Sequence, residues 1–271
     1  MNTTLFPGIH SCRLLIVLFT FSFSLHAQQV PLPHAYAHND YWHQHPLYDA
    51  LRNGFTYIEA DVWVRNGHLL VAHKPPFWGK HPSLNALYLQ PLASLFANNS
   101  AGNIDNVVLM IDIKSGPSKT YKLLKELLVS YQPILSGYKN GVVTIRQLTI
   151  ILTGKRPLNR LREDTARWMF ADADIEKIDT ADTASGLYLT ASGRYSNIVT
   201  WRGQHTIQQE EKDKLKSLVT KAHAAGQKVR LWASPENERV WMQLLDCGVD
   251  LINTDKLDAL RKFLTAELSA L

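Results

Sequence analysis

Residues 210–233 read EEKDKLKSLVTKAHAAGQKVRLWA: an amphipathic helix, a glycine and a β-rich run in immediate succession. Leu215, Leu218, Val219 and Ala222 recur at i, i+3, i+4 and i+7, the stripe a helix needs to pack on a sheet. Gly226 stands where a helix ends in left-handed backbone, and KVRLWA then supplies the extended segment. The same alternation continues on both sides. Strands are predicted near 34–38 (HAYAH), 56–63 (TYIEADVW), 107–113 (VVLMIDI), 148–153 (LTIILT), 167–172 (RWMFAD), 197–201 (NIVTW), 228–233 (KVRLWA) and 249–253 (VDLIN). Helices are predicted over 118–131, 157–165, 210–225, 236–247 and 256–268, with Gly248 closing the one before it. Strands joined by helices imply parallel neighbours and right-handed crossovers. Eight such units in about 240 residues fit a closed α/β TIM (β/α)8 barrel better than an open doubly wound sheet. There is neither a Gly-x-Gly-x-x-Gly turn nor a Walker loop to suggest a nucleotide fold. The stretch 64–105 reads as a hairpin turning at Asn66-Gly67, then a long loop over one end of the barrel.

Residues 14–25, LLIVLFTFSFSL, follow Arg13 and precede His26-Ala27-Gln28. A positive residue, a short apolar run and a small residue at a cleavage point predict a signal peptide over 1–27. The run is too short for a membrane span, which needs roughly 20 residues. The expected domain is then 28–271, one barrel, secreted or periplasmic, with no stable membrane span. Cys12 would leave with the leader and Cys247 would remain alone, so no intramolecular disulfide is expected. The net charge of +5 falls to +4 without Arg13. Basic and acidic residues are interspersed, which gives no footprint for nucleic acid but suits an anionic small molecule. A monomer is the expected state.

In such barrels catalytic groups lie at the C-terminal ends of the strands. His38 and Asn39 end the first strand; Glu59 and Asp61 lie two apart on the second and so share one face. Asp112 and Lys114 repeat that spacing at the end of the third. Three carboxylates buried together repel one another and lose hydration. A divalent cation relieves both, and oxygen ligands suit Mg²⁺ or Ca²⁺. The competing interpretation is a salt-bridged network with Lys114 and arginines. His38 and His73 titrate near neutrality, so one can accept a proton while the other donates one. Phosphodiester cleavage requires both events, with a metal and Lys114 neutralising the phosphoryl oxygens. Trp63, Trp201 and Trp232 fall in predicted strands, and Pro75-Pro76-Phe77-Trp78 reads as a loop at the mouth or an aromatic tip.

The segment AHNDYWHQHPLYDALRNGFTYIEADVWVRNGHLLVAH resembles the phospholipase C-like superfamily, which contains glycerophosphodiester phosphodiesterases and phosphatidylinositol-specific phospholipases C. Within it the chain is most similar to the Altered inheritance of mitochondria protein 6-like group. The pattern is a histidine after strand one, Glu-x-Asp ending strand two and a second histidine about twelve residues on. Here these are His38, Glu59, Asp61 and His73. The similarity runs on through NALYLQPL, IDIKSG and INTDK. It implies a barrel in which Glu59, Asp61 and Asp112 bind the metal, His38 and His73 exchange protons, and Lys114 contacts phosphate. It also implies that Trp232 and Asn253 line the far wall of the pocket. Two departures stand out: His38-Asn39-Asp40 replaces the His-Arg-Gly of typical glycerophosphodiesterases, and Asp112 replaces a frequent Glu. Without that arginine, Asn39 is left to donate an amide hydrogen to the phosphoryl oxygen or to metal-bound water. The expected activity is metal-dependent hydrolysis of a small-molecule or lipid-derived phosphodiester. The rivals are a non-catalytic barrel that binds a phosphorylated head group, and a glycoside hydrolase.

Overall fold

The computed structural model describes residues 30–98, 100–178 and 186–268. The leader expected over 1–27 lies outside them. Eight parallel strands form the centre: β1 (Ala35–Ala37), β2 (Tyr57–Arg65), β3 (Val107–Ile113), β4 (Leu148–Gly154), β5 (Met169–Asp174), β6 (Tyr188–Arg194), β7 (Lys228–Trp232) and β8 (Leu251–Thr254). Each pairs with the next in chain order. Tyr36 of β1 aligns with Tyr57 of β2 on one side and Asn253 of β8 on the other, which closes the ring. Closure excludes the open sheet, and the architecture is that of a TIM barrel.

The period of two along each strand sorts the side chains. One set packs between the strands and the surrounding helices, among them Ile58, Ala60 and Val62 of β2 and Leu109 and Ile111 of β3. The other set fills the barrel. Its lower layer is apolar and separate: Tyr36, Val108, Met110, Ile151, Phe170 and Leu251. Two residues further along the same faces come Asp112, Thr153, Asp172 and Asn253, while Glu59 and Arg230 follow Tyr57 and Lys228 at the same spacing. Hydrophobic packing below thus holds the polar layer in register above it.

The helix read from residues 210–225 spans Gln209–Ala224. Gly226 follows it at φ +72°, and the Gln227 amide donates back to the Ala222 carbonyl, the bond that ends a helix in this way. The expected hairpin is also present: Asn66 and Gly67 adopt φ +49° and +79°, and His68–Val71 returns antiparallel to the end of β2.

Three expectations are corrected. The sixth strand is not NIVTW; residues 195–198 are helical, and β6 lies at 188–194. Its sequence, YLTASGR, looks like a turn because Gly193 and its small neighbours interrupt the apolar pattern. The structure shows why glycine stands there: a Cβ at Gly193 would lie 2.6 Å from Ile175 Cγ2. Trp201 is accordingly not in a strand. The stretch after the hairpin is not only loop, because a wide turn at Asn85–Leu89 leads into a helix at Gln90–Ala97. Leu84, Tyr88, Leu92 and Phe96 bury at spacing four, and Pro91 follows directly on the wide turn. A small antiparallel sheet of Gly137–Lys139, Val142–Thr144 and Ala166–Arg167 was not anticipated.

Candidate metal and acid–base site

The C-terminal ends of the strands open into a cavity of about 500 Å³. His38, Asn39, Glu59, Asp61, His73, Asp112, Lys114 and Trp232 all line it, although they are spread over almost two hundred residues of chain. Asn253 does not line it. Its buried side chain lies behind the wall, where Oδ1 accepts from Arg230 at 3.3 Å.

Glu59, Asp61 and Asp112 each offer a carboxylate oxygen, and the three lie within 4.8 Å of one another. Glu59 and Asp61 are almost fully buried, at 4% and 1% exposure. Burial raises the Glu59 pKa, while the Arg230 and His38 charges pull it back. Arg230, only 3% exposed, donates to Glu59 Oε2 at 3.2 Å and to Ser192 Oγ at 3.1 Å, and lies over the Tyr36 ring at 4.4 Å. Burial disfavours its charge, but Tyr36 and the Glu59, Asp172 and Asp112 carboxylates outweigh this and hold its pKa above the ordinary value. Lys114 Nζ lies 2.7 Å from Asp112 Oδ2 and 3.2 Å from Asp61 Oδ2. Burial lowers its proton affinity, yet those carboxylates reverse the sign. Salt bridges and a carboxylate cluster are therefore both present. Two cations face three carboxylates, and the hard oxygens left over suit a divalent ion.

Each histidine holds a carboxylate through Nδ1. His38 Nδ1 lies 2.8 Å from Asp255 Oδ1, and His73 Nδ1 lies 2.9 Å from Asp61 Oδ2. A carboxylate accepts and cannot donate, so each pair puts a proton on Nδ1 and leaves Nε2 for exchange. His38 Nε2 is 3.9 Å from Glu59 Oε2. Burial lowers the His38 pKa, but the Asp255 hydrogen bond and the Glu59 charge more than reverse it, leaving it above 6.5. Asn39 takes the left-handed conformation at φ +46°, which asparagine tolerates better than most residues. Its Oδ1 accepts the Tyr41 hydroxyl at 2.7 Å, and its Nδ2 lies 3.0 Å from His38 Nδ1.

The opposite half of the cavity was not anticipated. Asp172 is buried and accepts from Thr190 and Ser192 hydroxyls at 2.6 and 2.9 Å. Arg156, Asp174, Glu176 and Arg194 complete that wall, with Arg194 5.5 Å from the Trp232 ring. The signal was available in part: Arg230 interrupts an apolar strand, and Asp255 lies two residues beyond Asn253.

Residues 24–106 match the family described as AIM6-like phosphodiesterase domain. The chain is 29% identical over 280 residues to Altered inheritance of mitochondria protein 6 of Lachancea thermotolerans, covering 84% of this chain and 64% of that one. It is 29% identical over 270 residues to the protein of that name from Eremothecium gossypii, covering 86% and 69%. The chain thus spans about two thirds of the length of these relatives. Among solved structures it resembles the phosphatidylinositol-specific phospholipase C of Listeria monocytogenes, with a TM-score of 0.50 at 9% identity over 88% of this chain and 94% of that one. That likeness is one of fold. Taken with the match over residues 24–106, it supports a phosphodiesterase-like fold. In sequence the chain is similar to the Altered inheritance of mitochondria protein 6 relatives.

Proposed function

We propose that the chain is a metal-dependent phosphoric diester hydrolase in which His38 and His73 exchange the protons. The observation that carries this reading is the arrangement itself: two imidazoles, each tethered by Nδ1 to a carboxylate, open on the same cavity as three clustered carboxylates. Glu59, Asp61 and Asp112 would hold Mg²⁺ or Ca²⁺, whose contribution is to neutralise phosphoryl charge. The protein's own part is proton transfer and orientation. One histidine removes the proton from the attacking oxygen, which is a neighbouring substrate hydroxyl or a water, and a P–O bond forms. The other gives its proton to the departing alkoxide as the second P–O bond breaks. Asp255 and Asp61 stabilise whichever imidazole is cationic at that moment. Lys114 and the Asn39 amide would orient the phosphoryl group, and Trp232, 39% exposed at the mouth, would face the alcohol portion.

The substrate class is a glycerophosphodiester, a phospholipid head group or a related diester. The enzyme is proposed to act outside the cytoplasm after loss of residues 1–27, which N-terminal sequencing of the mature protein tests. The decisive assay is release of alcohol from a panel of such diesters by purified protein, with each metal and with chelator. Metal-restored turnover supports the reading. Tight, metal-dependent binding without product would leave a head-group receptor instead, and diester turnover indifferent to chelator would remove the metal from the mechanism and leave cleavage to the histidines and the cationic side chains.

A further inference from the structure

We propose that the rim beside His73 is a docking surface for an anionic lipid bilayer. Trp78 is 88% exposed, Phe77 65% and Trp42 58%. Such large rings left in water are unusual enough to ask what covers them. They are placed at the mouth: Trp42 packs edge-on to the His73 ring at 5.2 Å, and Phe77 and Trp78 lie on the loop that leaves His73. That loop is a built feature. Pro76 is buried, the His81 ring lies 2.9 Å from the Trp78 carbonyl, and the Pro82 carbonyl accepts from the Val71 amide at 2.9 Å.

The charge around the rings names the occupant. From Val62 to Ile104 the sequence contains no Asp or Glu, while Arg65, Lys74 and Lys80 are basic. Arg65 Cζ lies 6.0 Å from the Phe77 ring centre, which joins the hairpin cation to the aromatic loop. Indole and phenyl rings flanked by cations suit the boundary between acyl chains and anionic head groups. No helix among the described residues is long and apolar enough to cross a membrane, so the contact is peripheral.

The test is co-sedimentation of the full chain with phosphatidylcholine vesicles, with and without roughly one-third phosphatidylserine. It needs no turnover, so it succeeds or fails independently of the proposed hydrolysis. Wild type should bind the anionic vesicles more tightly, and the difference should shrink as salt is raised. Lys74→Gln with Lys80→Gln should weaken anionic binding by roughly 25-fold, at about fivefold per cation, and leave neutral vesicles unaffected. Phe77→Ser with Trp78→Ser should weaken binding to both by at least about tenfold. The far-UV circular dichroism and thermal unfolding of all of these variants should match wild type, which reports that they fold. Equal binding to neutral and anionic vesicles, or wild-type binding by the Phe77/Trp78 variant, overturns the proposal. Self-association lost in that variant, with no vesicle binding, would overturn it in favour of a protein interface.

Discussion

Replacing Arg230 with methionine removes the only guanidinium bonded to Glu59 among the described residues and keeps most of its volume. The pair is 3% and 4% exposed, so water cannot take over the lost hydrogen bond. Breaking a buried pair by removing one partner costs about 3–5 kcal/mol. For a barrel of this size that lowers the melting temperature by roughly 6–20 °C. The pH dependence identifies the cause. Burial already raises the Glu59 pKa in the folded state, and Arg230 is the largest influence holding it down. Without Arg230 the folded-state value rises further above the unfolded one, so stability is lost as pH rises between the two. The destabilisation should therefore be largest at neutral pH and smallest below about pH 4, where Glu59 is protonated folded or unfolded. Thermal unfolding of metal-free protein across pH measures this. Adding Glu59→Gln to Arg230→Met should recover at least about 1 kcal/mol, because it removes the stranded charge. A loss that is independent of pH and additive in the double variant would refute the reasoning and make Arg230 a packing residue.

Alanine at His38 or at His73 should cut diester turnover by about 10²–10⁴-fold in protein that still unfolds cooperatively, measured by initial rates at saturating metal. Wild-type rates in both would remove the pair from the mechanism. In metal-free protein, NMR titration should find His38 protonating above the ordinary histidine value of 6.5, and Asp255→Asn should lower it. The sign follows from linkage: a folded-state value raised in this way stabilises below pH 6.5, and the stabilisation disappears as pH rises through the folded value. Gly193→Ala should destabilise by about 1–3 kcal/mol in thermal unfolding, since its Cβ would meet the stiff, β-branched Ile175 at 2.6 Å. A neutral substitution there would mean that β6 and the Ile175 turn separate easily.

What could be read in the chain follows from what local pattern encodes. Val107–Ile113 is apolar without interruption because a parallel strand is buried on both faces, and its limits were legible to the residue. Glu59, Asp61 and Asp112 stood out because carboxylates at spacing two break such runs. β6 was illegible because its composition answers a tertiary demand, the close approach of Ile175, which leaves no periodic trace. The far wall of the cavity was missed for a similar reason. Arg156 and Arg194 lie on loops and strand ends, where one exposed-looking arginine resembles another until the ring closes. Asn253 shows the converse: its place on the inward face of β8 was correct, but Arg230 lies between it and the cavity.

The charges lining the cavity carry a consequence for how it binds. Glu59, Asp61, Asp112, Asp172, Asp174 and Glu176 face Lys114, Arg156, Arg194 and Arg230, six carboxylates against four cations. A formal deficit of two repels a phosphodiester monoanion, and a cavity with low-dielectric walls focuses that field. One divalent cation cancels the deficit. Cation and anion should then bind with positive coupling, and linkage requires the same factor in either order. Calorimetric titration with dimethyl phosphate should show at least about tenfold tighter binding once Mg²⁺ or Ca²⁺ is present, and saturating dimethyl phosphate should tighten the metal equally. Equal anion affinity with and without metal would mean that the four cations suffice by themselves, and that the carboxylates of β2 and β3 serve the barrel instead of the substrate.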